Sequence, residues 1–466
     1  MNRYKYLLKN VGLLTLSSFS TKLLSFFLVP LYTNILSTSE YGVYDLFNTT
    51  VAVLIPILTL NVQEAVMRFS IDTKYKRDSI VTIATKYLIL SNLIIIVGLL
   101  INKYICLSSI VNQYSVYFFL MYLSQSLSGM VTMYVRGIDK IKSLSISSIL
   151  SSMLTLVLNV FFLTSLRLGL PGYFLANIIG PLFQCVYLIF SANIYSDIKF
   201  KNNYKNESRE MVEYSRPLIA NSIAWWVNNA SDRYIIVFFC GLAENGIYSV
   251  ASKIPSILNI FQTIFNQAWT LSAVKDFDPD DKNGFFSATY KAYNCMMVIV
   301  CSGIIVFDKL LANLLYAKGF FIAWKYVPWL TIAILFGAMS GYIGGVFAAV
   351  KDSKIFAIST IYGAVTNVIL NLIFTPFIGA MGSAIATTIS YIEVWAFRYW
   401  HSKKYITIEI DLVRDIISYT VLIIQSVVIL INIPELTMYL IEISLFISIL
   451  IIYSKDIIMF VNKRKK

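Results

Sequence analysis

A chain of 466 residues that is 58% hydrophobic and 15% aromatic, with only 14% charged residues, lies outside the range of soluble domains. Its net charge of +13 would point to nucleic acid in a soluble protein, but in so apolar a chain the distribution of Lys and Arg between short loops sets orientation in a bilayer. Composition therefore excludes a soluble enzyme or a nucleic-acid-binding protein and predicts a polytopic, all-α membrane protein.

Apolar runs of about 18 to 27 residues predict fourteen spanning helices, near 9–35, 41–67, 80–101, 114–136, 143–165, 171–195, 215–240, 246–271, 286–307, 326–350, 355–375, 380–400, 412–432 and 436–455. The basic stretch before the first run imitates a signal peptide. The run is too long for one, carries Lys22 and lacks a clear small-residue cleavage site, so it reads as the first spanning helix. Lys and Arg gather in alternate loops and at both ends (Arg3, Lys5, Lys9; Lys74, Lys76, Arg77; Lys463 to Lys466), which predicts cytoplasmic N- and C-termini. The five cysteines are scattered and frame no disulfide or metal site, and no loop carries a cofactor or nucleotide motif.

In the first helix Ser18, Thr21, Lys22 and Ser25 share one face. The second opens with Asp45, continues with Asn48, Thr49, Thr59 and Gln63, and ends with Glu64 four residues before Arg68, a spacing at which the two can pair. The seventh, roughly 215–240, holds Asn221, Asn228, Asn229, Asp232 and Arg233. The eighth carries Ser249, Ser252, Lys253, Ser256, Asn259, Thr263, Asn266, Gln267 and Thr270 at helical spacing. Charge at membrane depth requires water or a partner. A polar seam between packed helices is one reading of this stripe; its length and its lysine favour a wet cavity, with Lys22 near mid-membrane and Arg233 and Lys253 facing each other across an outer hairpin.

Glu40-Tyr-Gly-Val-Tyr44 returns as Glu244-Asn-Gly-Ile-Tyr248. Leu158-Asn159, Ser128-Gly129 and Gly172 with Ala176 return at a near-constant offset as Leu370-Asn371, Ser340-Gly341 and Gly382 with Ala386. Six crossings per copy make the repeat parallel. The expected organisation is an N-lobe (1–195, helices 1–6), a cytoplasmic linker (196–214), a C-lobe (215–404, helices 7–12), and helices 13–14 with a basic tail (405–466), around a central cationic cavity. Farther along, Asp308 to Lys325 reads as the longest exposed outer loop, Glu393 with Arg398 as a structural contact, the acidic run Asp276 to Asp281 as a solvated turn, and Glu442 as the one exception in the otherwise plain last two helices.

The stretches Leu31-Tyr-Thr-Asn-Ile-Leu-Ser-Thr-Ser-Glu-Tyr-Gly-Val-Tyr44, Ser231-Asp-Arg-Tyr234 and Glu244-Asn-Gly-Ile-Tyr-Ser-Val-Ala251 resemble the oligosaccharide flippases of O-antigen, capsule and teichuronic-acid type. These form the polysaccharide-transporter branch of the multidrug/oligosaccharidyl-lipid/polysaccharide exporter (MOP) superfamily, and the resemblance covers roughly residues 1–400. It implies a non-enzymatic, alternating-access transporter in the bacterial cytoplasmic membrane that moves an undecaprenyl-pyrophosphate-linked oligosaccharide to the outer leaflet. It also implies that the family's cationic cavity maps onto Lys22, Arg233 and Lys253, with Asn229, Ser256 and Asn259 as further substrate-binding residues. Glu64, Asp45 and Asp232 are the candidate coupling groups or charge partners. The partners it admits are the lipid-linked oligosaccharide, the bilayer, a proton or sodium ion, and a polysaccharide polymerase with other export components; no cofactor is expected.

The multidrug exporters usually want an acidic first-helix site where this chain has Lys22. The lipid II flippases favour an arginine-rich first lobe, where this chain offers one lysine. A membrane-embedded polymerase or glycosyltransferase is the alternative from another class, and it would need a catalytic loop that the sequence lacks.

Overall fold

The computed structural model describes residues 12, 17, 19–72, 74–199, 204–275, 277–350 and 352–456, apart from the side chains of 229, 267, 268, 270, 271 and 353. The basic ends, the Asn229 side chain and the Gln267 and Thr270 side chains therefore lie outside the described residues.

Every regular element among the described residues is helical. Residues 19–27 are helical and are followed by α1 (Val29–Ile35), α2 (Thr38–Leu58), α3 (Val62–Ile71), α4 (Arg77–Ile105), α5 (Ser109–Gln113), α6 (Ser115–Gly137), α7 (Ile141–Val160), which ends in a π-turn, α8 (Leu170–Ala192) and α9 (Lys205–Cys240). After these come α10 (Leu242–Ala251), α11 (Ser256–Lys275), α12 (Phe285–Val306), α13 (Asp308–Leu315), α14 (Val327–Ala349), α15 (Ser353–Ile378), α16 (Ala380–Ser402), α17 (Leu412–Val428) and α18 (Glu435–Ile452). The chain forms two compact units, Met1–Ala230 and Ser231–Lys466.

Eight helices among the described residues are long and apolar enough to cross a membrane. Helix also occupies the other predicted ranges from 41–67 onward, but those such as α9 carry the polar and charged faces that dilute their hydropathy. Large apolar side chains point away from the protein along α4 (Leu93, Val97, Leu100) and α15 (Val365, Ile369, Leu372). A surface of this kind is stable only against lipid.

Two predicted spans are broken. In the 41–67 range α2 stops after Pro56, Leu60 and Asn61 adopt left-handed backbone angles (φ 52° and 53°), and α3 restarts with Glu64 in its first turn. Within the first unit the break is closed by α9: the Ser215 hydroxyl donates to the Leu60 carbonyl (2.8 Å) and the Asn61 amide to Ser222 Oγ (3.3 Å). In the 246–271 range, residues 252–255 form a turn. Pro255 lacks the amide needed to continue a helical ladder, and Lys253 N bonds instead to the Val250 carbonyl at 2.9 Å. The polar stripe expected on one continuous helix is thus divided between α10 and α11.

Small residues let helices of the second unit approach closely, the usual device where the hydrophobic effect cannot drive packing. A Cβ at Gly345 would lie 2.5 Å from Trp269 Nε1, whose N–H donates to the Tyr342 carbonyl on α14 (2.8 Å). The repeated Asn of the Leu-Asn pair serves the same purpose in each unit. Asn159 and Asn371 are fully buried, and each amide donates to a carbonyl one turn back, at 2.8 and 2.9 Å.

Three further expectations change. The segment from Asp308 to Lys325 is an α-helix followed by a 3-10 helix, with Asp308 fully buried, because apolar side chains between its charges give it a face to bury. Arg398 is not held by Glu393. Its guanidinium donates to Ser359 Oγ (2.8 Å), the Ser340 carbonyl (3.0 Å) and Thr360 Oγ1 (2.9 Å) and lies 4.1 Å from the Phe356 ring centre. Within the acidic run, Asp281 is buried and accepts from the Phe286 and Ser287 amides (2.9 and 2.8 Å) at the start of α12. Outside the spans, Asp352 caps α15, and the Tyr405 hydroxyl, aided by the Ile355 amide, holds its carboxyl below the usual carboxylate range.

Candidate functional site

In the first unit, Lys22 lies on the helical segment 19–27 with an exposed side chain. Asp45 is buried on α2. Its neighbours in the Glu40-to-Tyr44 motif are structural. Ser37 and Glu40 form a reciprocal capping box at the start of α2. Tyr41 stacks on Tyr32 (centroids 4.6 Å apart) and Tyr44 meets Tyr173 edge-on (4.6 Å). Glu64 is half-buried in the first turn of α3, where its charge suits the helix dipole, and no ion pair joins it to Arg68 among the described residues. An apolar cavity of ≈ 350 Å³, lined by Val81, Leu88, Leu123, Met130 and Tyr134 among others, lies in this unit, and none of the candidate site residues lines it.

The second unit holds the more ordered charge cluster. Near the end of α9, Asp232 Oδ1 accepts from the Arg233 amide (2.9 Å) and from Arg233 Nη1 (3.3 Å), while Asp232 Oδ2 accepts from the Tyr248 hydroxyl on α10 (2.8 Å). Both charged side chains are largely buried, 15% exposed for Arg233 and 10% for Asp232. Charge-assisted bonds in such a setting fix orientation more firmly than surface pairs do. Tyr391 on α16 lies within electrostatic reach of Asp232, and one turn before it Thr387 accepts from the Asn367 amide (3.1 Å).

The second copy of the repeated motif builds this cluster. Glu244 in the first turn of α10 accepts a hydrogen bond from the Tyr326 hydroxyl. Four residues later, on the same face, Tyr248 reaches Asp232. Lys253 follows in the turn between α10 and α11, and no ion pair between it and a carboxylate is present among the described residues. Ser256 starts α11 with its hydroxyl donated to the Lys253 carbonyl (2.5 Å), and Asn259 is half-buried one turn on.

Asp232 and Arg233 are thus brought together as an ion pair, with Lys253, Ser256 and Asn259 on the adjoining turn and helix. Lys22, Asp45 and Glu64 belong to the other unit. Sequence reasoning missed Tyr248 as a donor, although the Glu-to-Tyr motif marked the position.

The order and packing of the described helices give the fold of MOP-superfamily transporters. The solved lipid II flippase MurJ in an inward closed conformation superposes with a TM-score of 0.71 at 16% identity, covering 95% of this chain and 99% of that one. An inward-facing multidrug resistance MATE family transporter of the MOP superfamily superposes with a TM-score of 0.65 at 15% identity, covering 84% and 94%. The family model "Polysaccharide biosynthesis protein" matches residues 7–270; the chain belongs to that family and is a multi-pass membrane protein. It is 27% identical over 290 residues (58% of this chain, 68% of the relative) to the uncharacterized membrane protein MJ1375 of Methanocaldococcus jannaschii. It is 24% identical over 196 residues to the probable low-salt glycan biosynthesis flippase Agl15 of Haloferax volcanii, a match that spans 41% of each protein.

Proposed function

We propose that this protein is a flippase that carries an undecaprenyl-pyrophosphate-linked oligosaccharide across the bacterial cytoplasmic membrane by alternating access. The observation that carries the reading is Arg233 paired with Asp232, which also accepts from the Tyr248 hydroxyl, with Lys253 on the adjoining turn. A pyrophosphate leaving water needs positive charge and donors. Asp232 offsets one positive charge, and Lys253 supplies another. Ser256 and Asn259 follow Lys253 as further polar groups on the same stretch of chain, and Lys22 and Asn229 are proposed as additional substrate-binding residues. Asp45 and Glu64 are proposed as coupling groups, together with Asp232, for a proton or sodium ion. The clustering of Lys and Arg supports cytoplasmic termini. Family membership and the glycan flippase among the relatives support an oligosaccharide cargo, and the absence of paired catalytic carboxylates or a nucleotide motif in the sequence supports a transporter over a polymerase.

The test uses charge-conserving exchange in cells. Arg233→Lys retains part of glycan export, because lysine keeps the charge but not the guanidinium fork. Arg233→Gln and Lys253→Gln each stop export, with lipid-linked oligosaccharide accumulating on the cytoplasmic leaflet while the protein still inserts. Normal export by the double Gln variant would overturn the reading.

A further inference from the structure

The C-terminal end of α12 meets the last two helices at a point where two acids are enclosed within reach of each other. Asp308, the first residue of α13, and Glu442, midway along α18, are both 0% exposed. None of their four carboxyl oxygens meets a donor at hydrogen-bonding geometry, although the Gln425 side chain and Lys309 lie close enough to Glu442 to favour its charged form in part. The seam is well defined: the Ser302 hydroxyl on α12 donates to Gln425 Oε1 on α17 (2.7 Å), and Gln425 Nε2 donates to the Glu442 backbone carbonyl (3.5 Å). Lys309, the neighbour of Asp308, places its Nζ 3.2 Å from Met438 Sδ on α18. Met438 stands four residues before Glu442 and so on the same helical face.

An ionised carboxylate enclosed with so few donors is strongly disfavoured, and the group escapes by taking up a proton. The charges around the pair do not remove the need. Among the described residues, Lys309 is the cation that acts on both acids; it is already set 4.6 Å from the Trp324 ring centre, and a single ammonium balances at most one of two carboxylates. Among the described residues, Tyr439 on α18 lies within reach of Asp308 and of Glu435 on its own helix; α12 and α17 contribute the neutral Ser302 and Gln425. A metal ion is a poor fit, since no group of three or more acidic, His or Cys side chains converges here or elsewhere among the described residues, and the ammonium of Lys309 opposes one.

We propose that Asp308 and Glu442 form a proton-binding site that joins α12 and α13 to the C-terminal helices, separate from the Asp232–Arg233 cluster. Burial, partly offset by Lys309 and reinforced by Glu442, raises the Asp308 carboxyl well above the ordinary carboxylate range. The folded protein therefore binds this proton more tightly than the unfolded chain. The stability it contributes is fully present below the ordinary carboxyl range and is lost as pH rises toward and through the raised value. The site does not depend on the transport reading, because both readouts below are independent of substrate.

The experiment is an infrared titration of the full-length protein in lipid nanodiscs from about pH 5 to about pH 9, with Asp308→Asn and Glu442→Gln beside the parent. In the parent, the band of a protonated carboxyl group persists at neutral pH and is lost on further alkalinisation, in one step or in two coupled steps. Each variant removes part of that band and flattens the fall of the melting temperature with rising pH. Should one variant not fold, the parent and the other variant decide. Absence of a protonated carboxyl at neutral pH in the parent, or an unchanged band in a folded variant, overturns the proposal.

Discussion

At Asp232 three donors converge: the Arg233 amide, the Arg233 guanidinium and the Tyr248 hydroxyl. The first two come from the neighbouring residue and could be anticipated from an Asp-Arg pair. The third comes from 16 positions away, and only folding brings it there. The charges were legible because an apolar span makes any ionisable residue conspicuous; their partners were not, because a hydroxyl at tertiary distance leaves no periodic trace. Asp308 and Glu442 show the reverse failure. The sequence places Asp308 in an exposed loop and leaves Glu442 without a partner, whereas packing buries both. Tyr248→Phe keeps the ring and removes one donor from a buried acceptor, for an expected loss of about 1–3 kcal/mol. Denaturant unfolding of the purified protein in detergent measures it, and an unchanged midpoint would show that Asp232 does not depend on this bond.

The positions of the helices followed from apolar runs, but their interruptions did not. Pro56 and Pro255 stand beside breaks, yet Pro181, Pro217 and Pro376 lie inside continuous helices. Proline alone therefore does not mark a break; at Leu60 the freed carbonyl is taken up by Ser215 of α9. The repeated glycines are more telling. Gly172 and Gly382 each sit in the first turn of a helix that doubles back on its predecessor. A Cβ at Gly382 would lie 2.6 to 2.8 Å from the backbone of Phe374 and Thr375, and one at Gly172 would lie 2.9 Å from Leu168 and 3.0 Å from Phe162. Backbone cannot yield as a side chain can. Gly382→Ala is accordingly expected to cost about 1–3 kcal/mol, whereas Gly98→Ala, with nothing within 4 Å, is neutral or gains up to about 1 kcal/mol of helix propensity. Thermal unfolding of the two variants side by side checks the contrast, and equal melting temperatures would contradict it.

At the scale of the whole chain, the parallel repeat carried the most information per residue. It fixed the equivalence of Asn159 with Asn371 and of Gly172 with Gly382, and these pairs play matching parts in their respective units. It also concealed a divergence. The first Glu-to-Tyr motif caps a helix and fills an aromatic cluster, while the second supplies Tyr248 to the charge cluster and Glu244 to Tyr326. Similarity of pattern thus predicted similarity of backbone and left the chemistry of the side chains to packing.

The central claim is that Arg233 and Lys253 engage the pyrophosphate of a lipid-linked glycan. Its most direct test is transfer of undecaprenyl-pyrophosphate-linked oligosaccharide between the leaflets of proteoliposomes, read by the accessibility of the glycan to an impermeant enzyme. The parent protein is expected to expose the glycan on the opposite face, and the Arg233→Gln, Lys253→Gln variant, reconstituted at equal density and equally folded, is expected to leave it where it was loaded. Equal transfer by the parent and the double variant would contradict the account.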